Sequence, residues 1–189
     1  MLQSFVMLTD PEEILNFWFY EVGPDRWFKV DPALAELIRE RFLSAYERAS
    51  MDGLHEWEET PEGMLALVLL LDMFPRHMFH GTERAYAFDD EALDLARQAI
   101  IRHFDDRIDR NFKLFFYLPF QHAEHDGDQR LAGFYIRERT KDEAWVDEAS
   151  RCQDIISRFG RFPDRNACLG RESSPEELAF LETQDSALV

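Results

Sequence analysis

The residues that could do chemistry lie in three short segments where proline and phenylalanine accompany polar side chains. Each segment follows an apolar stretch, so that proline fixes the exit of the chain, an aromatic ring anchors it, and the polar groups are held in place. The three segments are LDMFPRH (71–77), LPFQHAEH (118–125) and RFPDRN (161–166). They supply Asp72 and Asn166 as candidate polar partners and Arg76 as a candidate anion-binding residue. The alternative is a plain helix end, in which such groups satisfy free backbone carbonyls and amides.

The third segment belongs to an arginine-rich stretch, residues 151–171. Five arginines and two aspartates give it a local charge of +3 within a chain of net charge −17. Guanidinium groups bind carboxylates and phosphates through paired hydrogen bonds. In addition to Arg76, the stretch therefore supplies three candidate anion-binding residues, Arg161, Arg165 and Arg171. The alternative is that these arginines pair with nearby acids and tie the last helix down, and the abundance of such acids favours it.

A histidine and a carboxylate occur together in the second segment, where His122 and Glu124 are candidate catalytic residues for proton transfer. His122 and His125 would share a helix face, and such a pair could also bind a divalent metal. The spacing is not H-E-x-x-H and no distant third ligand is evident, so we predict no metal and no cofactor. A structural role for His122 is the simpler interpretation. No activated cysteine or G-x-S-x-G motif suggests a nucleophile.

Composition excludes several classes of function. The chain has 189 residues, a formal net charge of −17 and a pI of about 4.7, which argues against nucleic-acid binding and binding to anionic membranes. The longest apolar run, Met64–Leu71, is far shorter than the roughly 20 residues of a membrane span. Two cysteines, Cys152 and Cys168, are too few for a disulfide scaffold and are expected to be buried or half-buried thiols. A cytoplasmic protein is expected.

Helix signals position these segments. Aspartate or threonine before proline marks helix starts at Asp10, Asp31 and Thr60, and Asp89-Asp90-Glu91 marks another. The helix through Met64–Leu71 is apolar all round and should be central. It is expected to end near Met73 because of Pro75, and Pro119 is expected to interrupt a helix that begins at Asp109.

Later in the chain, Gly160 should end a helix, and Ser174-Pro175-Glu176-Glu177 forms a capping box. The pattern predicts an all-α protein of seven or eight helices in antiparallel pairs. We expect it to form a single domain over 1–189, with frayed residues at 183–189.

Several motifs occur together in one order along most of the chain, from about residue 11 to 182. They are ILNFWF (14–19), RWF (26–28), LLDMFPR (70–76), LPFQHAE (118–124), RFGRFPDRN (158–166) and LGRESSPEE (169–177). In these motifs the chain resembles the bacterial family called domain of unknown function 924. The resemblance implies an all-helical, tetratricopeptide-like fold and implies no activity.

The chain departs from the pattern of that family at four positions. The family more often has Gln at Met73, Asn at His77, Ser at Ala123 and His at Asp164. The changes at Met73 and Ala123 remove polar groups, which weakens a catalytic interpretation. The candidate residues named above keep the family type.

Three functions agree with these observations. The first is a module that binds an acidic peptide, a partner protein or a small anion through the arginines. The second is an enzyme acting on a small anionic substrate, in which His122 and Glu124 move protons and Arg161, Arg165 and Arg171 bind the anion. The third is a structural role with self-association, so that a homo-oligomer is possible. The enzyme requires these side chains to face one enclosed pocket.

Overall fold

The computed structural model describes residues 9–183. The chain over this range has no strand and forms eight helices. Their bounds are α1 11–22, α2 Pro32–Ala49, α3 61–78, α4 Asp89–Ile101, α5 Leu114–His122, α6 126–140, α7 Glu143–Phe159 and α8 Pro175–Leu181. The predicted all-α fold and helix number are confirmed. Of the residues predicted to fray, 184–189 lie outside the described range.

Most of the predicted helix starts and stops are local and are confirmed. The start predicted at Asp109 is wrong, because its carboxylate accepts from the Asn111 amide within a turn and α5 begins at Leu114. The Asp10 carboxylate accepts a hydrogen bond from the Glu13 backbone amide at 2.9 Å, and Thr60 caps α3 in the same way. Ser174 forms both hydrogen bonds of the capping box with Glu177. Gly160 ends α7 with φ 70°, a backbone conformation in which a β-carbon would be strained. Short-range signals are therefore sufficient to set these boundaries.

Helix α3 is the central element, as its apolar sequence predicts. Every residue of Met64–Leu71 is buried. Helices α1, α2, α4 and α5 pack against α3, while α6 packs on α5 and α7 packs on α6. In the described part of the chain, no helix is both long enough and apolar enough to cross a membrane.

Two predicted helix breaks are wrong. Helix α3 runs on to Met78 because Leu69–Met73 forms a wider π-helical turn, in which the Phe74 amide donates to the Leu69 carbonyl five residues earlier. Proline lacks an amide hydrogen, and at position 75 it lies at the start of the α-helical turn that follows. Pro119 lies inside α5, whose residues 114–121 are all buried, so that packing offsets the missing hydrogen bond. Both continuations matter for the site, because the helix beyond Pro75 carries Arg76 and the helix beyond Pro119 carries His122.

Candidate functional site

Five ionisable side chains meet in the interior, and we call them the inner cluster. They come from the end of α3, the start of α4, the end of α5 and a short 3-10 turn, Pro163–Arg165. The side chains are 1–17% exposed, and they are Asp72, Arg76, Asp89, His122 and Arg165. Removing so many charges from water is costly unless they are closely paired. Strongly perturbed groups of this kind also mark candidate functional sites.

Arg76 uses both of its terminal nitrogens within the inner cluster. Its Nη1 and Nη2 donate to the two carboxylate oxygens of Asp89 at 2.8 and 2.9 Å. Nη1 also donates to the Ala85 carbonyl at 3.1 Å, and Nη2 lies 3.3 Å from Asp72 Oδ1. Burial opposes the charge, but Asp89 and Asp72 outweigh it and raise the pKa of Arg76. Arg76 therefore serves to hold the two carboxylates together.

His122 is paired with Asp72. Its Nδ1 lies 2.7 Å from Asp72 Oδ1, although 50 residues separate the two in sequence. Burial raises the pKa of Asp72, but His122 and Arg76 outweigh it and keep the carboxylate ionised. Burial also lowers the pKa of His122, and Arg76 and Arg165 add to this against the pull of Asp72.

A neutral ring beside an ionised carboxylate must carry its hydrogen on Nδ1. The Nε2 nitrogen then has a free lone pair and has no hydrogen-bond partner among residues 9–183.

Arg165 differs from Arg76 in having few partners. Its Nη1 donates to the backbone carbonyl of His122 at 3.0 Å and reaches Asp89 Oδ2 only at 3.4 Å. Its guanidinium carbon lies 4.7 Å from the ring centroid of Tyr86 and 4.4 Å from that of Phe162. Burial and the nearby Arg76 lower its pKa. Its Nε and Nη2 have no hydrogen-bond partner within the described residues.

A second set of polar residues, which we call the outer layer, ties residues 161–177 to the rest of the protein. Its members are Glu124, Arg161, Asn166, Arg171 and Glu177. The Arg171 guanidinium meets Glu124 through two hydrogen bonds of 2.5 and 2.9 Å, and its Nε donates to Asn166 Oδ1 at 2.9 Å. Glu124 also accepts from the Phe162 amide at 2.7 Å.

The outer layer continues with Arg161, which donates to both oxygens of Glu177 at 2.7 and 2.8 Å and to the Glu172 carbonyl. These hydrogen bonds hold the pKa of Glu177 at about 2. Two of the three candidate arginines are thus matched with a carboxylate each.

The structure divides the predicted site residues between the two sets. Asp72, Arg76, His122 and Arg165 meet in the inner cluster, whereas the outer layer holds Glu124, Arg161, Asn166 and Arg171. His122 and Glu124 do not pair with each other. At positions where the chain departs from the family pattern, Met73 is buried in the core and His77 lies 3.0 Å from the Trp27 carbonyl.

Sequence reasoning missed Asp89 and Tyr86. Asp89 was assigned to helix capping, but the start of α4 has no side-chain cap, and the carboxylate binds arginine instead. Tyr86 gave no signal beyond being one of many aromatic residues.

Both cysteines are free thiols, Cys152 buried and Cys168 half-buried, as expected. Burial raises the pKa of Cys152 to about 12, which makes that thiol unreactive. Within residues 9–183, the geometry of a possible metal site is met by Asp52, His55 and Glu58 on the surface, and by no group in the inner cluster. Two shallow surface depressions lie around Asp10 and Glu12, and none of the residues that line them belongs to the inner cluster.

Comparisons with known proteins agree with the predicted resemblance. The family model for bacterial proteins of unknown function (DUF924) matches residues 14–185. A solved structure of a protein of unknown function from Agrobacterium tumefaciens is 40% identical, with a TM-score of 0.87. That similarity covers 92% of this chain and 97% of the Agrobacterium chain. No curated protein matches the chain significantly.

Proposed function

Because the chain belongs to the DUF924 family of bacterial proteins of unknown function, we propose a function from its own geometry: the inner cluster binds one small anion at Arg165. The observation that carries this proposal is the unequal use of two buried arginines. Arg165 is only 8% exposed, yet Nε and Nη2 of its guanidinium have no partner within residues 9–183. Arg76, beside it, is bound on both sides by carboxylates.

An anion would complete the hydrogen bonding of Arg165. Nε and one Nη of a guanidinium form a planar fork that matches two oxygens of a carboxylate, phosphate or sulfate. Nε and Nη2 of Arg165 are not among the fully buried unpaired polar atoms of residues 9–183, so both donors reach solvent, and an anion can take the place of water there. The rings of Tyr86 and Phe162 hold the guanidinium plane in place before the anion arrives.

The charge balance of the inner cluster also leaves room for an anion. Asp72 and Asp89 balance Arg76 and Arg165, and His122 can add a positive charge by protonation. The other two candidate arginines, Arg161 and Arg171, already hold carboxylates in the outer layer. The proposal therefore narrows the predicted anion-binding set to Arg165, with Arg76 as its support.

The burial of the inner cluster favours a small anion over an acidic peptide. A peptide needs an open groove, whereas the side chains of the cluster are at most 17% exposed. The net charge of −17 repels long polyanions, but salt screens distant charges, so it acts much less on a single small ion at one site.

Binding can be tested with sulfate, phosphate and acetate by calorimetry at constant ionic strength. We expect saturable binding with one site per chain, and a stabilisation of about 1.4 kcal/mol at ten times Kd. Arg165→Gln should abolish binding, and Arg165→Lys should weaken it because lysine keeps the charge but loses the fork. Arg158→Gln is the matched control, since Arg158 lies in the same stretch and pairs with Glu176 on the surface.

Two results would contradict the proposal. One is the absence of saturable binding of all three anions by the wild-type protein. The other is equal binding by wild type and Arg165→Gln, because a site built on the Arg165 guanidinium cannot survive its removal.

The enzyme remains a second candidate, supported by the pairing of His122 with Asp72. A carboxylate that orients an imidazole and leaves its other nitrogen free is the usual arrangement of a general base. In this enzyme hypothesis the carboxylate that orients the His122 imidazole is Asp72 rather than Glu124. Turnover of phosphate monoesters and simple acyl esters by wild type, lost in His122→Gln and inhibited by sulfate, would support it.

A further inference from the structure

We infer that the inner cluster takes up a proton together with its anion, on Nε2 of His122, with Asp72 as the positioning residue. The inference rests on the proposed anion site and adds its regulation by pH. It identifies the bound state as an oxyanion beside an imidazolium ring.

The geometry places His122 where a bound anion would change its charge. Arg165 donates to the backbone carbonyl of His122 at 3.0 Å and its charge acts on the imidazole, so an anion that neutralises this guanidinium changes the electrostatic environment of the ring. Nδ1 is engaged by Asp72, and Nε2 remains free within residues 9–183. The side chain is 12% exposed, which leaves a route for a proton from solvent.

Charged groups face His122 from every element around it. Helix α3 contributes Asp72 and Arg76, the start of α4 contributes Asp89, and the 3-10 turn contributes Arg165. The nearest charge on its own segment, Glu124, is neutralised by Arg171. Without an anion, burial and the two guanidinium groups oppose a third positive charge, and Asp72 favours it.

A bound anion reverses this balance. Its negative charge offsets that of Arg165, and the imidazole then accepts a proton from the buffer to become imidazolium. Asp72 accepts the Nδ1–H hydrogen bond before and after this step, so the ring need not turn. No bond other than the new N–H bond forms, and the proton comes from solvent.

Thermodynamic linkage gives the direction of the pH effect. Because the bound state holds more protons, affinity for the anion must fall as pH rises. The slope approaches tenfold per pH unit between the pKa of His122 in the free protein and its raised pKa in the complex.

Sulfate is the probe of choice because it keeps its charge across the range in which histidine titrates. Calorimetric titrations in two buffers of different ionisation enthalpy give the number of protons taken up per sulfate. We expect uptake of up to one proton by wild type. His122→Gln should bind sulfate more weakly with no uptake, and His125→Gln, which changes a 74% exposed histidine, should behave as wild type.

Asp72→Asn separates positioning from simple structural support. The variant should still bind sulfate, because Arg165 is intact, but proton uptake near neutral pH should disappear because imidazolium loses its carboxylate. NMR titration of the His122 ring in the wild-type protein gives the same answer without a variant: sulfate should raise its pKa.

The outcomes distinguish the inference from the function on which it rests. Sulfate binding with no proton uptake, or an unchanged His122 pKa in the complex, would overturn the inference and leave the anion site standing. Proton uptake that persists in His122→Gln would assign the proton elsewhere. No sulfate, phosphate or acetate binding by wild type would overturn both.

Discussion

The inner cluster and the outer layer use the same residue types and yet differ in how completely these are paired. In the outer layer each arginine meets one carboxylate through two hydrogen bonds, and each also donates to a backbone carbonyl, Arg161 to that of Glu172 and Arg171 to that of Phe162. In the inner cluster Arg76 has two carboxylates, while Arg165 has one long contact with Asp89. Attaching residues 161–177 to the rest of the protein is enough to explain the ion pairs of the outer layer. It does not explain the unpaired donors of Arg165 in the inner cluster.

Burial and pairing together distinguish the arginines of the two regions. Arg161 is partly exposed and uses Nε and Nη2 to bind a carboxylate, whereas Arg165 is 8% exposed and its Nε and Nη2 have no partner within residues 9–183. A fold that needed only to attach residues 161–177 could have used an apolar side chain at position 165 at lower cost. We therefore expect variants in the inner cluster to lose more stability than variants in the outer layer or on the surface.

The largest effect should come from Asp89→Asn in the inner cluster. The variant leaves two buried guanidinium groups with only Asp72 to balance them, and we expect a loss of about 3–5 kcal/mol in the free energy of unfolding. Chemical denaturation measures this loss. Asp90→Asn is the matched control, since Asp90 is an exposed neighbour in the same first turn of α4.

The pair of aspartate variants also tests the sequence-based interpretation of this turn. If both acids served only the helix dipole, both variants would lose similar amounts, below about 1 kcal/mol each. Equal losses would therefore remove Asp89 from the inner cluster as an energetic element.

Buried His77 supplies a reference for an imidazole without a charged partner. Burial lowers the pKa of His77 to about 4, whereas an unfolded histidine titrates near 6.5. The folded state therefore binds fewer protons than the unfolded state between these values. Its stabilising contribution is complete above about pH 6.5 and is lost as pH falls toward 4, by roughly 3 kcal/mol in total.

Thermal unfolding of wild type and His77→Asn across this pH range measures that loss. Asparagine, the more frequent family residue at this position, can still donate to the Trp27 carbonyl and does not titrate. The variant should show the smaller loss of stability between pH 6.5 and 4. Parallel curves would mean that other groups cause the acid sensitivity.

Much of this architecture could be predicted from sequence because its signals are local. Asp10, Thr60 and Ser174 cap helices through hydrogen bonds to amides three residues away. The arginine-rich stretch was likewise visible as a reversal of charge. Residues that contact their own neighbours leave a pattern that one sequence can show.

The pairing within the site could not be predicted, because partner choice depends on distant contacts. His122 pairs with Asp72 across 50 positions, and Arg165 approaches Asp89 across 76. Glu124, the nearby carboxylate expected to assist His122, binds Arg171 instead. The π-helical turn that carries α3 past Pro75 has no local signal that distinguishes it from a helix end.

A smaller effect is expected from Glu124→Gln in the outer layer. Glutamine can still accept from the Phe162 amide, and both members of the lost ion pair are 24% exposed. We expect a loss of about 1 kcal/mol in stability. Sulfate binding at Arg165 should not weaken, because the variant removes a negative charge. Weakened binding would show that the outer layer and the anion site act as one unit.

The smallest effect should come from Arg158→Gln, which breaks an ion pair whose members are 52% and 65% exposed. Both charges are well hydrated, so we expect a change below about 0.5 kcal/mol, and added salt should reduce it further. The loss in Asp89→Asn should persist in salt, because ions do not screen a buried pair to the same extent. Chemical denaturation of both variants at low and high salt therefore compares the loss of stability, and its salt dependence, for a buried and an exposed ion pair. A salt-independent loss in Arg158→Gln would place that arginine with the buried groups and contradict the division drawn between the two regions.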